Sequence, residues 1–162
     1  MSHAEHPRAA TPLEELVRQR AAWRAAGRRV ALTNGCFDIL HPGHIALLEA
    51  ARREGDLLVV AINSDLSVAR LKGAGRPLLP QAERAEALRA LEGVDAVVIY
   101  DEETPIDVVR ALQPDVLVKG ADWAADEIVG RAEVENSGGR VVRVPLVPGR
   151  STSAIVEGIR RP

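Results

Sequence analysis

Five short runs rich in valine, isoleucine and leucine divide this chain: RVALTN (29–34), DLLVVAIN (56–63), DAVVIY (95–100), PDVLVK (114–119) and RVVRVPL (140–146). None alternates apolar with polar residues, as a strand with one wet face must. Near-continuous apolar runs belong to strands covered on both faces, hence to a parallel sheet between helices. The intervening text fits that demand. TPLEELVRQRAAWRAAG (11–27), PGHIALLEAARREG (42–55), LPQAERAEALRALEG (79–93), TPIDVVRALQ (104–113), DEIVGRAEVENSGG (126–139) and STSAIVEGIRR (151–161) all read as helices. In the first, Thr11 is the expected N-cap, with Pro12 at N1, Glu15 closing a capping box and Gly27 as the stop. Its buried stripe is Leu13, Leu16, Val17 and Trp23. Thr104 and Ser151 are the expected caps of the fourth and sixth helices.

Strands joined by helical crossovers make an α/β fold: a Rossmann-like, doubly wound, five-stranded parallel sheet with helices on both faces. The chain of 162 residues is expected to hold one such domain over residues 13–162, behind a flexible N-terminal tail over residues 1–12. In doubly wound sheets ligands bind beyond the carboxyl ends of the strands. The loops that follow the strands are therefore where chemistry is sought.

Several function classes fall away on composition. The formal net charge is −2, whereas a nucleic-acid binder is expected to carry a basic footprint. No apolar run reaches membrane-spanning length, and MSHAEHPRAATP lacks the apolar core of a signal peptide. A single cysteine, Cys36, rules out an intramolecular disulfide and suits a cytoplasmic home. Any anionic ligand must then find positive charge locally. Of 21 lysines and arginines, only Lys72 and Lys119 are lysine, leaving 19 arginines, and glycine follows each lysine. A chain that uses the bulky planar guanidinium nearly everywhere points to lysine being kept where a slim cation is needed. Two leftover surface lysines are the plainer alternative.

The loop after the first strand, NGCFDILHPGH (34–44), is the most unusual stretch. Pro42 suits helix position N1, which puts His41 at the N-cap and His44 in the first turn. Residues three apart lie on one side of a helix. Both imidazoles then flank a helix N-terminus, where free N–H groups and the dipole favour an anion. The dipole disfavours imidazole protonation until a phosphate arrives and restores it. Groups that behave this way can stabilise charge growing on a phosphoryl oxygen. Gly35 and Gly43 permit close approach of backbone and ligand. Two other readings stand beside this one: a metal-binding histidine pair, for which no third ligand sits at usable spacing, and a purely structural cap. The loop lacks the G-x-G-x-x-G of a dinucleotide site. Cys36 has no evident base and orienter to make it a nucleophile.

Gly35-Cys36-Phe37-Asp38-Ile39-Leu40-His41-Pro42-Gly43-His44 resembles the G-x-F-D-x-x-H-x-G-H signature of the cytidylyltransferase-like nucleotidyltransferases. The resemblance extends through NSDLSVARLKGAGRPLLPQAER (63–84), DVLVKGADW (115–123) and GRSTSAIVEGI (149–159). Within that family the combination is most similar to the branch that adenylylates D-glycero-β-D-manno-heptose 1-phosphate. The implied reaction is attack of a sugar-phosphate oxygen on the α-phosphorus of ATP, releasing pyrophosphate, with Mg²⁺ as cofactor. The product, an ADP-heptose, serves lipopolysaccharide or related glycans. Also implied are a homodimer and a functional link to a separate heptose 7-phosphate kinase. The rival readings are a cytidylyltransferase for a polyol or amino-alcohol phosphate, and a non-catalytic nucleotide-binding module.

The resemblance assigns His41, His44 and Lys72 to catalysis, with the lysine on a glycine-rich loop, LKGAGRP, suited to closing over phosphates. Asn34, Gly35, Cys36, Phe37, Gly43, Lys119, Gly120 and Asp122 are expected at the nucleotide. Ser151, Thr152 and Ser153 join them as a second anion-binding edge at a helix start. Asp38, Asn63, Asp65, Arg76 and Arg150 are assigned to the substrate. Asp38 has the alternative of capping loop backbone, Asp65 that of starting a helix, and Arg76 that of a solvated charge. Asp122 is the candidate for Mg²⁺ or ribose, with the metal carried mainly by the triphosphate. Trp123 is either a pocket wall or core. Arg84, on a helix, is the weaker candidate. Leu146-Val147 stand where the glycerol-phosphate branch carries an Arg-Thr pair, which weakens the cytidylyl reading.

Overall fold

The computed structural model describes residues 9–161. Five strands, β1 (Val30–Gly35), β2 (Leu57–Asn63), β3 (Ala96–Tyr100), β4 (Val116–Gly120) and β5 (Arg140–Val144), form one sheet in the order β3-β2-β1-β4-β5. Every pairing is parallel. Seven helices connect or flank them: α1 (Leu13–Ala25), α2 (Pro42–Arg53), α3 (Asp65–Lys72), α4 (Gln81–Arg89), α5 (Ile106–Leu112), α6 (Arg131–Asn136) and α7 (Thr152–Arg160). The chain winds outward from β1 to β3, then crosses back to β4. The switch point therefore lies between β1 and β4, where a cleft opens at the carboxyl edge.

The unbroken apolar runs are explained by a core on each face. Val30, Leu32, Val59, Ala61 and Val98 point toward α1, α5 and α6, where Leu16, Val108, Leu112 and Val134 meet them. Ala31, Leu58, Val60, Ile62 and Val97 point the other way, onto Leu48 of α2 and Ala85 and Leu88 of α4. Apolar burial of this kind contributes roughly 25 cal/mol per Å² and dominates the stability of the sheet. Leu16 is fully buried, while Leu13, Val17 and Trp23 of the expected stripe are partly buried against the same core. The stripe also holds a charge. Arg20 is buried and donates to the carbonyls of Leu112 and Gln113 and to the Asp115 carboxylate, which in turn accepts from the Val30 amide.

Four local expectations need correction. The N-cap of α1 is Pro12, without a side-chain cap; the Thr11 amide instead donates to the Val97 carbonyl at 2.7 Å. Of the expected tail over 1–12, residues 1–8 lie outside the described residues, but Ala9 and Ala10 pack on the core. Pro105, not Thr104, precedes α5 as its cap. The helix expected over 126–139 is split into a 3-10 turn, Ala125–Glu127, and α6. Gly130 interrupts it at φ +90°, a conformation L side chains rarely adopt, and any Cβ there would strike Val109.

Candidate active site

The carboxyl ends of β1, β2, β3 and β4, with the stretch after β5, surround a cavity of about 500 Å³. From β1 and its loop come Asn34, Gly35, Cys36 and Phe37, and α2 supplies His44 and Leu47. Asn63 stands at the end of β2, Leu71 and Lys72 at the end of α3, Tyr100 at the end of β3, and Glu103 and Pro105 after it. Lys119, Gly120, Asp122 and Trp123 complete the β4 side, with Ile128, Val129 and Leu146 as an apolar border.

His41 is the N-cap of α2. Its Nδ1 accepts the Gly43 amide at 3.1 Å, so that nitrogen carries no proton. Any Cβ at residue 43 would lie 2.8 Å from the His41 ring, so glycine is what lets the ring fold back over the turn. The structural-cap role is thus realised for His41, which is 8% exposed and does not line the cavity. It stacks on His44 at 3.8 Å between ring centroids. Phe37, at φ +48°, brings its ring, tilted, to 5.1 Å from that of His44. Left-handed backbone at an aromatic residue is strained by about 1–3 kcal/mol, and here it places the wall that confines His44.

His44 is held neutral: burial, then the neighbouring His41, push its pKa down to about 4. Its Nδ1 is buried without a hydrogen-bond partner; the Ile39 backbone favours the protonated ring without reaching bonding geometry. Burial also depresses His41, aided by the Arg150 charge. Arg150 comes within reach because its Cβ lies over the Gly43 turn. The segment before α7 thus meets the start of α2.

Lys72 is the last residue of α3, not part of the glycine-rich loop, which begins at Gly73. The helix-start alternative for Asp65 is realised in α3, which is capped by Ser64, whose side chain accepts from the Ser67 amide. Lys119 is driven toward its neutral form by burial and back toward the charged form by Asp122. Its Nζ donates to the Asn34 carbonyl at 3.3 Å and lies 5.4 Å from the centre of the Trp123 ring. Trp123 is 46% exposed and lines the cavity, which removes it from the core. A Cβ on Gly120 would lie 2.8 Å from the Asp122 carboxylate and 3.0 Å from Leu146, so glycine lets both approach.

Other candidates are placed elsewhere. Asp38, only 2% exposed, accepts from the amides of Leu78 and Leu79 at 2.8–2.9 Å and does not line the cavity. It ties the histidine loop to the loop after α3, the backbone-capping alternative. Arg76 lies 3.9 Å from it, also off the cavity. Asp65 begins α3 and pairs with Arg84. Ser151 caps α7 by accepting from the Ala154 amide, Thr152 is buried and Ser153 exposed; none lines the cavity.

Two residues matter more than their sequence context suggested. Arg84 is 1% exposed and donates to the carbonyls of Leu79, Cys36 and Asn63 and to Asp65. It clamps the exits of β1 and β2. Tyr100, the one tyrosine, donates to Asn63 Oδ1 at 3.0 Å and accepts from Asn34 Nδ2 at 3.4 Å; burial pushes its pKa up to about 12. Its position as the last residue of a predicted strand was the available signal.

Among the described residues no group of three or more His, Cys, Asp or Glu side chains is placed to hold a metal ion. Asp122 and Glu103 are the carboxylates lining the cavity. Mg²⁺ typically takes one or two carboxylates plus phosphate oxygens, so this donor set fits a magnesium ion that arrives with a triphosphate. The arrangement as a whole suits a phosphorylated ligand: a neutral imidazole by a helix start, two lysines, and an apolar border.

Comparison with known proteins agrees. The family described as cytidylyltransferase-like matches residues 32–157. Bifunctional protein HldE of Gluconobacter oxydans (strain 621H) is 51% identical over 152 residues, covering 94% of this chain and 32% of that relative. Bifunctional protein HldE of Acidiphilium cryptum (strain JF-5) is 56% identical over 138 residues, 85% of this chain and 28% of the relative. The chain thus spans about a third of the length of these relatives. The structure of the lipopolysaccharide core biosynthesis protein from Thermoplasma volcanium GSS1 superposes with a TM-score of 0.61 at 30% identity, covering 75% of this chain and 98% of that one. Pantothenate synthetase from Thermus thermophilus shares the fold, with a TM-score of 0.52 at 24% identity over 79% of this chain and 60% of that one.

Proposed function

The chain belongs to the cytidylyltransferase-like family of nucleotidyltransferases, and we propose that it transfers AMP from ATP to D-glycero-β-D-manno-heptose 1-phosphate, releasing pyrophosphate. The observation that carries this reading is the grouping of His44, Lys72 and Lys119 around one cavity with an apolar border. A sugar-phosphate oxygen attacks the α-phosphorus, the bond to the bridging oxygen breaks, and pyrophosphate leaves with the electron pair. No covalent enzyme intermediate is needed, so the protein's part is positioning and charge stabilisation. Neutral His44 offers a nitrogen donor to the α-phosphate and takes a proton more readily as negative charge gathers beside it. Lys72 and Lys119 approach from opposite halves of the sheet to hold the phosphate chain. Asp122 would hold Mg²⁺, which supplies charge neutralisation on the triphosphate. His41 and Arg150 support the start of α2.

The heptose assignment is supported by the HldE relatives and by the Thermoplasma protein. Adenine over cytosine is supported by Leu146, 57% exposed at the border, standing where the glycerol-phosphate cytidylyltransferase branch carries the arginine of its Arg-Thr pair. The reading further includes a cytoplasmic homodimer fed by a heptose 7-phosphate kinase activity. No helix among the described residues is long and apolar enough to cross a membrane.

The test is a matrix of ATP, CTP, GTP and UTP against several sugar and polyol phosphates with Mg²⁺, scored by pyrophosphate release. ATP with the β-heptose 1-phosphate is expected to be fastest. Preference for CTP with glycerol 3-phosphate would overturn the substrate assignment, and no pyrophosphate with any pair would overturn the reaction.

A further inference from the structure

Glu103 lines the cavity yet belongs to none of the salt bridges among the described residues. A carboxylate in a pocket that must accept a triphosphate either holds the metal ion, the place given to Asp122, or faces a part of the ligands without phosphate. Glu103 is exposed, and its backbone is held in place. Ser67 Oγ donates to the Glu102 carbonyl at 2.7 Å and accepts from Asn63 Nδ2 at 2.9 Å, and Asn63 in turn accepts from Tyr100. Pro105 follows two residues later at the start of α5. The peptide that carries Glu103 is therefore fixed from the strand ends below it.

Sheet order indicates what faces it. β3, which delivers Glu103, lies at one edge, and β5, which leads to Leu146, lies at the other. The apolar pair Trp123 and Leu146 on the β4–β5 side suits the base, while His44, on α2 after the central β1, marks the phosphates. The body of the acceptor is left with the β3 side. We propose that Glu103 is the residue that selects a polyhydroxylated acceptor, its carboxylate accepting hydrogen bonds from neighbouring hydroxyls of the sugar phosphate. A carboxylate has two oxygens able to take two O–H donors at once, and charge-assisted bonds of this kind are about twice as strong as neutral ones. The inference rests on the nucleotidyl-transfer reading above and adds to it the residue that recognises the sugar.

The test is steady-state kinetics of Glu103→Ala and Glu103→Gln, with folding checked by thermal melting. For Glu103→Ala, the KM for the sugar phosphate is expected to rise about ten- to a hundredfold, the loss of a hydrogen bond to a charged group, with the KM for ATP changed less than twofold. Glu103→Gln, which keeps one acceptor oxygen, should fall between. A deoxy sugar 1-phosphate lacking one recognised hydroxyl should be poor for the unmodified protein but no poorer for Glu103→Ala. An unchanged acceptor KM in Glu103→Ala overturns the inference, as does a rise confined to ATP, which would move the carboxylate to the ribose. Absence of pyrophosphate from the unmodified protein with every sugar phosphate overturns instead the reading on which it rests.

Discussion

At His44 the local environment does two things. A neutral ring is cheaper to bury than a charged one, so a pKa of about 4 keeps His44 uncharged in the free site until a phosphate arrives. His44→Ala is expected to lower kcat by roughly two to three orders of magnitude, the loss of one transition-state donor, with a smaller effect on the KM for ATP. Pyrophosphate-release kinetics on a variant that melts normally decide it; near-full kcat would remove His44 from the chemistry. The depressed pKa also makes stability depend on pH. Between the ordinary 6.5 and about 4, the unfolded chain binds a proton at this ring that the folded one does not. The contribution is therefore complete above about pH 6.5 and is lost as pH falls toward 4. His44→Gln should show a smaller drop in Tm between pH 7.5 and 5 than the unmodified protein; equal drops would refute the assignment. His41 differs, because its Nδ1 is committed to the Gly43 amide. His41→Asn retains a good N-cap acceptor and should melt near the parent, whereas His41→Ala should lose about 1 kcal/mol.

Between elements the firmest link is Arg84, which ties α4 to the exits of β1 and β2 and to the start of α3. Four acceptors lose their partner if it is removed. Arg84→Met should destabilise by about 3 kcal/mol or more, the cost of several buried groups left unpaired. Arg84→Lys should recover little, because a point ammonium cannot span a fork's geometry; denaturant melts compare the three proteins. Arg84 also shows where reading the sequence stops. All five strands are legible because continuous apolar runs leave few alternatives to a buried parallel sheet. The HPGH helix start is legible because Pro42 and His41 announce a cap locally. By contrast DLSVARLK announces α3 only through Asp65 as an alternative helix start: it has little apolar periodicity, and the glycine-rich LKGAGRP after it draws Lys72 into a loop. The split at Gly130 depends on Val109, more than one element away. Asp38 and Asp65 match site positions by motif, yet their oxygens are taken by Leu78, Leu79 and Arg84. Nothing local distinguishes a carboxylate that binds backbone from one that faces a ligand.

Across the whole molecule, a net charge of −2 coexists with a cavity suited to phosphates because cations are placed rather than plentiful. The two lysines of the chain both line that cavity, one from the β1–β2–β3 half and one from β4. Lys72 ends a helix beside the loop that Asp38 fastens to the histidine turn. Lys119 is lodged between the Asn34 carbonyl and the Trp123 ring. Either position must fit a compact cation among phosphate oxygens already approached by His44, where a longer planar fork would hold the two halves apart or divert to a neighbouring phosphate. Lys72→Arg is therefore expected to be almost as damaging to kcat/KM as Lys72→Ala, although net charge is unchanged. Lys119→Arg should also lower the Tm, since the longer planar fork has to leave the ammonium's place beside the Asn34 carbonyl and the Trp123 ring. Arg53→Lys, on an exposed turn of α2, serves as the control and should alter neither. If Lys72→Arg keeps more than about a third of the parental kcat/KM, a loss below roughly 0.7 kcal/mol, charge alone suffices there. The scarcity of lysine would then carry no information about the site.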